Sequence, residues 1–315
     1  MQKITDSQKN LLFLLLTDSR TSISSLGKKM EKKKGRNWVS RTIKKLVKWG
    51  IIRSYLAILN PAYVYAERSS LLLLKTNPRE IDISKALIAM PDLEWLDGLT
   101  GDHSLIGLFR FRDAHAFEKF LDVVDTVTAK SLSQTYNIVQ VLATYKTHGL
   151  IVPPIKVGTP IISQNDWDLL NTLRRTAPTP ERPYPPTQQE IGESLSVPLS
   201  QPAISKGMKR LERQKCIIGY SIDIDFSYVD LPIKFFLRIR PRPGKVSQVA
   251  QQIVSLDEVW DLHRVGEEFS LFATVRVSSV REYNEFIRSV YGNQDILDTQ
   301  SQISLEEWYI PAPRL

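Results

Sequence analysis

The sequence has little cysteine and little histidine: Cys216 is its one cysteine, and four histidines are scattered among 315 residues. A single thiol excludes an internal disulfide framework, and no histidine spacing is typical of a zinc site. Long apolar runs are also missing, since Leu11–Leu16 is far shorter than the ~20 residues that a membrane-spanning helix needs. The N-terminus lacks the residue order of a signal peptide. These absences predict a soluble, cytoplasmic chain in which Cys216 is a small core residue.

Motifs of catalysis are likewise missing from the sequence. We find no glycine-rich nucleotide loop, no nucleophile triad and no paired-carboxylate motif of the kind that phosphoryl transfer, acyl transfer or glycoside hydrolysis requires. The chain is therefore expected not to be an enzyme and to need no metal or other cofactor.

Positive charge is concentrated in one segment. The whole chain carries a net charge of +8. Residues 28–48 contain ten lysines and arginines against one acid, Glu31, so this segment alone is more basic than the whole chain and the remainder is nearly neutral. A local basic patch on a neutral body is typical of a surface that binds a polyanion, above all nucleic acid.

The second half of the sequence repeats the first. A shift of 165 residues superposes Leu26-Gly27 on Ile191-Gly192, Val39-Ser40-Arg41 on Ile204-Ser205-Lys206, Ile43-Lys44-Lys45-Leu46 on Met208-Lys209-Arg210-Leu211, Trp95 on Trp260 and Gly101 on Gly266. Near the start of the chain the shift is 158 residues, and the difference of seven falls in the proline-rich stretch Ala177–Thr187, where a loop can lengthen at little cost. The pattern predicts a tandem duplication.

The first third of each repeat has the pattern of three helices and a β-hairpin, a winged helix-turn-helix. The third helix is predicted from about Asn37 to Trp49, because Val39, Ile43 and Leu46 recur at helical spacing and Gly50 follows as a C-cap. The β-branched and aromatic stretches Ile51–Leu59 and Cys216–Phe226 predict the strands.

The rest of each repeat alternates in the order β-α-β-β-α-β, which is the ferredoxin-like arrangement. The fold class is therefore α+β, with two tandem repeats, each a winged helix-turn-helix followed by a ferredoxin-like module. The expected boundaries are 1–60 for the first winged unit, 61–150 for the first α/β module, 151–161 for a linker, 162–226 for the second winged unit and 227–315 for the second α/β module.

This order of elements resembles the Lrp/AsnC (feast/famine) family of prokaryotic, especially archaeal, transcription regulators, in which the α/β module is the RAM domain. The residues that carry the resemblance are Leu199-Ser200-Gln201-Pro202-Ala203-Ile204-Ser205-Lys206-Gly207-Met208-Lys209-Arg210-Leu211, continuing into Ile217-Ile218-Gly219-Tyr220, and the matching stretches Val39–Leu46 and Gly50–Tyr55 of the first repeat. The resemblance implies a DNA-binding regulator whose α/β modules pair. A fused chain is then either an internal pseudo-dimer or a subunit of a homo-oligomer.

The resemblance also implies a site for a small-molecule effector at the turn between the second and third strands of each α/β module. Effector-binding relatives carry Gly-x-x-Asp there, whereas this chain has Ser104 and Phe269 at the aspartate position. The candidate effector contacts are the residues of these two turns, Gly101, Asp102, His103, Gly266, Glu267 and Glu268.

The third helix of each winged unit is the candidate for entry into the major groove. Arginine, asparagine and glutamine can form two hydrogen bonds with the edge of one base, whereas lysines more often contact phosphates. Trp38 either stacks near DNA or covers the edge of the core, and the second helix either reads the other half-site or is structural. The candidate DNA-binding residues are Lys32, Lys33, Lys34, Arg36, Asn37, Trp38, Ser40, Arg41, Lys44, Lys45, Lys48, Ser200, Gln201, Ser205, Lys206, Lys209 and Arg210.

Two other functions are compatible with the pattern. Siroheme decarboxylases of haem biosynthesis share the layout, and Glu181-Arg182-Pro183-Tyr184 is similar to an Arg-Pro-aromatic stretch in them. Those enzymes carry His-Asn-Tyr-x-Arg on the second strand of the module, where this chain has Trp260-Asp261-Leu262-His263-Arg264 and matches only the arginine. The lysine-rich patch also suits an architectural chromatin protein of low sequence preference.

Overall fold

A computed structural model describes residues 2–65, 68–77, 80–154 and 162–311 of the chain. These residues form two compact units. The first, here called the helical unit, contains residues 2–60, 162–232 and 311. The second, the sheet unit, contains residues 61–154 and 233–310. Each unit is thus assembled from both halves of the sequence.

Helices and strands alternate along the described residues. The helices are α1 (Asp6–Thr17), α2 (Ile23–Lys29), α3 (Arg36–Lys48), α4 (Pro61–Val64), α5 (Ile81–Ile88), α6 (Ala114–Thr128), α7 (Gln164–Arg174), α8 (Gln188–Ser194), α9 (Gln201–Arg213), α10 (Val246–Val254) and α11 (Val280–Tyr291). The strands are β1 (Ser54–Leu59), β2 (Ser69–Lys75), β3 (Leu93–Leu99), β4 (Leu105–Arg110), β5 (Thr135–Thr147), β6 (Leu150–Ile151), β7 (Arg175–Thr176), β8 (Ile217–Asp223), β9 (Ile233–Pro241), β10 (Val259–Val265), β11 (Leu271–Val277) and β12 (Ile296–Trp308).

The helix α3 owes its position to its apolar stripe. Val39, Ile43 and Leu46 lie on one side and are buried in the helical unit, which leaves the basic side chains on the other side. The helix ends at Lys48 with Trp49 as its C-cap, and Gly50 follows with a φ of +70°, a left-handed conformation that glycine adopts without strain. The predicted helix from Asn37 to Trp49 therefore differs from the observed one by one residue at each end.

The prediction of a β-hairpin wing in each half is wrong. After each helix triad the chain forms one strand, and these two strands, β1 and β8, pair antiparallel with each other. Neither can fold back on a second strand of its own, because β1 runs into α4 at Pro61 and β8 is followed by a 3₁₀ turn at Phe226–Val229. The backbone groups of one strand are satisfied instead by the equivalent strand of the other half.

The sheet unit contains one antiparallel sheet that closes on itself. Four strands of the first half lie in the order β3-β4-β2-β5, and four of the second half in the order β10-β11-β9-β12. The two groups join at two seams, where β12 pairs with β3 and β10 pairs with β5. The closed arrangement leaves no open edge along these seams.

Alternate side chains of these strands pack on opposite faces. Leu72 and Leu74 belong to a core cluster with residues of α5 and α6, whereas Leu71 and Leu73 face the interior of the closed sheet. A matching cluster packs α10 and α11 against the second group of strands. The mixed α+β class predicted from the sequence is confirmed.

Two expected boundaries differ from the observed ones. The 3₁₀ turn Phe226–Val229 belongs to the helical unit, where Asp230 forms an ion pair with Lys9, so the unit extends to residue 232 rather than 226. Of the expected linker 151–161, residues 155–161 lie outside the described residues, and Ile151 is part of β6. Among the described residues, no helix combines the length and apolarity that crossing a bilayer requires.

Candidate nucleic-acid interface

The outward side of α3 is a row of exposed cations. Arg36, Arg41, Lys44, Lys45 and Lys48 are all exposed. Within the described residues, none of them lies within 4.0 Å of a carboxylate, so their charge is not neutralised by the protein. Asn37 is exposed beside them and its carbonyl accepts a hydrogen bond of 3.3 Å from Nε of Arg41. The arrangement presents a row of cations without carboxylate partners on the outward side of the helix.

The segment before α3 adds three more cations. Lys32 and Lys33 are exposed, and the ammonium of Lys34 lies 5.3 Å from the centre of the Trp38 ring. Trp38 is half-buried, and its ring meets the cation of Lys34. A second contact of this kind joins Lys45 to Trp49, at 4.3 Å, at the end of the helix.

Ser40 has a protein partner that the sequence did not predict. Its Oγ lies 2.6 Å from the hydroxyl of Tyr184, in the proline-rich segment before α8. The pair joins residues 144 positions apart, and a hydroxyl engaged in this way is half-buried rather than presented to DNA. The sequence draws attention to Tyr184 through the Arg-Pro-aromatic stretch, but no local spacing places that residue beside α3.

The helix α9 presents a weaker version of the same surface. Gln201, Lys206 and Lys209 are exposed, Ser200 precedes the helix and Ser205 is half-buried. Arg210 is ion-paired through Nη2 to Oδ1 of Asp166 on α7, and Oδ2 of that carboxylate accepts a hydrogen bond from Ser163. Arg210 therefore holds α9 to α7, whereas Lys45 at the matching position has no carboxylate partner within 4.0 Å.

The first candidate effector turn lies between β3 and β4. Gly101 has a φ of +99°, which requires glycine, and Asp102 is exposed next to it. His103 is half-buried, and burial lowers its pKa below the usual value while the neighbouring Asp102 acts in the opposite direction. The turn is bounded by Gln302 of β12, whose amide donates to the carbonyl of Thr100 at 3.2 Å.

The second candidate effector turn has its carboxylates already engaged. Glu267 follows Gly266 and binds the guanidinium of Arg238 through two hydrogen bonds of 3.0 and 2.7 Å. Glu268 forms an ion pair with Arg240. Both arginines lie on β9, so in this turn the acids brace neighbouring strands of the sheet.

The second α/β module matches a known family. Its residues 234–312 match the family model described as the Lrp/AsnC ligand binding domain. This module is similar to the Lrp/AsnC ligand-binding domain over most of its length. The resemblance to the Lrp/AsnC family expected from the sequence is therefore confirmed, and residues 233–310 are called the Lrp/AsnC module below.

Two relatives that are named as regulatory proteins each match about half of the chain. The leucine-responsive regulatory protein of Haemophilus influenzae is 25% identical over 146 residues, which is 45% of this chain and 82% of that protein. The HTH-type transcriptional regulator LysM of Sulfurisphaera tokodaii is 25% identical over 149 residues, 47% of this chain and 98% of that protein. One such regulator thus corresponds in length to about half of this chain.

A solved structure matches nearly the whole chain in fold. The crystal structure of the siroheme decarboxylase NirDL aligns with a TM-score of 0.58 and covers 96% of this chain and 92% of that one. The sequence identity is 15%, so the likeness establishes a shared fold and not a shared activity.

Proposed function

We propose that the chain is a DNA-binding transcription regulator that contacts DNA through two helix-turn-helix units, with α3 and α9 as recognition helices. The observation that carries the proposal is the exposed row of unpaired cations on α3. Two relatives that are transcriptional regulators support it, as does the Lrp/AsnC module.

In this proposal α3 enters the major groove with its N-terminal end towards the bases. Arg36, Asn37 and Arg41 are the side chains for base edges, since arginine pairs with guanine and asparagine with adenine at about 1–3 kcal/mol of discrimination each. Lys44, Lys45 and Lys48 neutralise phosphates and supply affinity through counterion release. The helix α9, with Gln201, Lys206 and Lys209, reads a second half-site with less charge.

We further propose that the chain is a tandem duplication folded as an internal pseudo-dimer. The pairing register supports this. In the helical unit Leu56 pairs with Ser221, the residue 165 positions later, which is the shift that superposes the two halves. At the two seams of the sheet unit, Leu99 pairs with Ser304 and Arg264 pairs with Ala143. Arg264 again lies 165 positions after Leu99, as expected for strands related by a twofold axis.

The experiment that tests DNA binding is a double substitution on α3. The variant R36A/R41A is expected to bind duplex DNA at least tenfold more weakly, because two unpaired cations are removed from the contact surface. The slope of log affinity against log salt should flatten by about 2 if both arginines contact phosphates as well as bases. Fluorescence anisotropy at several salt concentrations measures both quantities.

The matched control is K119A/R288A. Lys119 on α6 and Arg288 on α11 are exposed, and this double variant removes two positive charges from the sheet unit, so it should retain the parental affinity and salt slope. Unchanged binding by R36A/R41A would contradict the choice of α3 as the recognition surface. Genome-wide immunoprecipitation then separates a specific regulator, with sharp peaks that share a motif, from an architectural chromatin protein with even occupancy.

A siroheme decarboxylase is the second candidate, favoured by the fold match over nearly the whole chain. The stretch Trp260–Arg264 stands where those enzymes carry their His-Asn-Tyr-x-Arg motif. In it, His263 is fully buried and its ring Nδ1 lies 3.1 Å from Oγ1 of Thr144. Burial lowers the pKa of His263 to about 4, so the ring is neutral at pH 7 and out of reach of solvent. Anaerobic incubation with siroheme tests this candidate: formation of decarboxylated product would support it over the regulator.

A further inference from the structure

The helical unit contains a cavity next to α3. It has a volume of about 390 Å³, which is within the range of small-molecule sites. One wall is the first helix triad, with Leu15, Leu26 and Ile43. The opposite wall is the proline-rich segment before α8, which contributes Tyr184.

The proline-rich wall is held in place by three polar contacts. The hydroxyl of Tyr55 donates to the carbonyl of Pro183 at 2.7 Å, and Tyr184 meets Ser40 at 2.6 Å. The guanidinium of Arg20 reaches the carbonyl of Pro186 at 3.4 Å. Because prolines restrict the backbone between these contacts, the wall is pre-formed rather than dependent on a ligand. The segment is part of the seven-residue excess of the second half, so the first half has no equivalent of it in sequence.

The charge on the lining of the cavity is positive. Among the described residues, Arg20 is the one charged side chain that lines it, and no carboxylate does. Arg20 is half-buried, and its guanidinium is fixed 4.9 Å from the centre of the Tyr220 ring. Two carboxylates act on Arg20 from outside the cavity lining. Asp18 is engaged with the backbone amide of Arg20 and the hydroxyl of Thr21, and Glu212 accepts a hydrogen bond from the hydroxyl of Tyr220 at 2.6 Å. The cavity therefore offers a positioned cation with apolar side chains opposite.

We propose that this cavity binds a small organic anion, a carboxylate with an apolar aliphatic or aromatic body. The guanidinium of Arg20 receives the carboxylate, since its planar donors match two carboxylate oxygens. Leu15, Leu26 and Ile43 cover the apolar body, and the side-chain amide of Gln188 lies on the polar side.

Occupancy of this cavity acts on both recognition helices. Ile43 is on α3 and Gln201 is the first residue of α9, and both line the cavity. Tyr184 lines it too and contacts Ser40 of α3. A ligand thus contacts groups that fix the position of each helix, and its binding changes the affinity for DNA. This regulatory step rests on the proposed function, whereas the binding of the anion does not.

The test measures ligand binding by the full-length protein without DNA. Titration calorimetry uses benzoate and 4-methyl-2-oxopentanoate as probes, with benzamide as the neutral counterpart of benzoate. We expect at least one of the two carboxylates to bind and benzamide to bind at least tenfold more weakly than benzoate. The variant R20Q should lose at least tenfold in affinity, and I23W, which fills the cavity from α2 without removing the cation, should lose binding as well.

The control R288Q removes a cation that does not line the cavity and should bind as the parent does. Melting curves establish that each variant is folded. Failure of both carboxylates to bind the parent, or equal binding by R20Q, would overturn the site.

The regulatory step has its own readout. Saturating carboxylate is expected to change the DNA affinity of the parent at least threefold and to leave that of R20Q unchanged. Anion binding with unchanged DNA affinity overturns the coupling and leaves the site standing. Loss of DNA binding in R36A/R41A concerns the proposed function alone, so the two failures are distinguishable.

Discussion

Gly27 and Gly192 occupy the same place in the two helix triads, on α2 and α8. A Cβ added to Gly27 would overlap the carbonyl oxygen of Lys34, and one added to Gly192 would overlap that of Leu199. Both glycines also accept a hydrogen bond on their own carbonyls from the same residues, 3.0 Å from Lys34 and 3.1 Å from Leu199. The turn before each recognition helix therefore packs directly on a helix backbone.

The substitution G27A should destabilise the chain by about 1–3 kcal/mol, because either α2 or the turn must move to admit the methyl group. Thermal melting followed by circular dichroism measures the loss. The matched control is G35A, since Gly35 has a φ of −70° and nothing within 4 Å of an added Cβ. A melting temperature of G27A equal to that of G35A would contradict the close approach.

His263 predicts a pH dependence of stability. Its pKa is about 4 in the folded chain, with burial as the main cause and Arg110 and Asp261 acting in opposite directions, against about 6.5 in the unfolded chain. The unfolded chain therefore takes up the proton first as the pH falls below 6.5, and stability decreases until the folded ring also protonates near pH 4. At pH 5 the loss is about 2 kcal/mol.

The variant H263Q tests this through the difference in unfolding free energy between pH 8 and pH 5, measured by urea denaturation. The packing cost of the substitution is present at both values and cancels in the difference. The difference should shrink by about 2 kcal/mol relative to the parent. An equal difference in the two proteins would show that the buried ring is not what titrates.

At the scale of elements, one seam of the sheet unit depends on a buried ion cluster. The ammonium of Lys234 on β9 lies 2.8 Å from Oδ1 of Asp97 on β3, and both side chains are buried. Glu307 of β12 binds Lys234 at 3.4 Å and also pairs with Arg276. With Arg276 on β11, the cluster links four neighbouring strands where the two halves of the sheet meet.

Removal of the ammonium should therefore weaken the seam. The variant K234M is expected to lose about 3–5 kcal/mol, because the carboxylate of Asp97 stays buried without its cation. Adding D97N in the double variant D97N/K234M should recover part of that loss, since no buried charge is then left unpaired. Urea denaturation of the four proteins completes the cycle. A double variant no more stable than K234M would contradict a charge-based role.

Local patterns in the sequence predicted most of the elements but not all of their partners. The helical stripe of Val39, Ile43 and Leu46 determines where α3 lies and which side is exposed, because helix periodicity is a property of neighbouring residues. The alternation in β1 determines its faces, but backbone hydrogen bonds carry no residue identity. The sequence of β1 therefore does not distinguish between a hairpin strand and β8 of the other half as its partner.

The same limit applies to the candidate site. Exposure of Arg36, Arg41 and Lys44 follows from the stripe and agrees with the prediction. The engagement of Ser40 with Tyr184 and of Arg210 with Asp166 depends on segments far apart in the chain, where no local spacing applies. Those contacts distinguish side chains that are available to a partner from those that hold the fold together.

At the scale of the whole molecule, each half needs strands from the other. A chain ending at residue 154 would expose β1 and the outer sides of β3 and β5, which in the intact chain pair with β8, β12 and β10. Exposed edges of this kind favour association. Residues 1–154 expressed alone are thus expected to self-associate, as judged by analytical ultracentrifugation.

Co-expression extends this prediction. Residues 1–154 and 162–315, produced as separate chains with one affinity tag, should co-purify as a one-to-one complex with the melting behaviour of the intact chain or somewhat below it. Two monomeric fragments that do not bind one another would contradict the paired seams. The covalent connection between the halves would then be essential to the fold.

The two strands that meet at Leu56 and Ser221 belong to one polypeptide. The helices α3 and α9 are therefore encoded separately, and they differ in sequence. The two subunits of a homodimer are products of one gene. Any mutation therefore alters both recognition helices together, and the operators of such dimers tend towards palindromes. In this chain a mutation changes α3 or α9 alone. If both helices read DNA as proposed, an asymmetric operator fixes the orientation of the bound molecule, and a promoter bound in this way acquires an upstream and a downstream side from the protein.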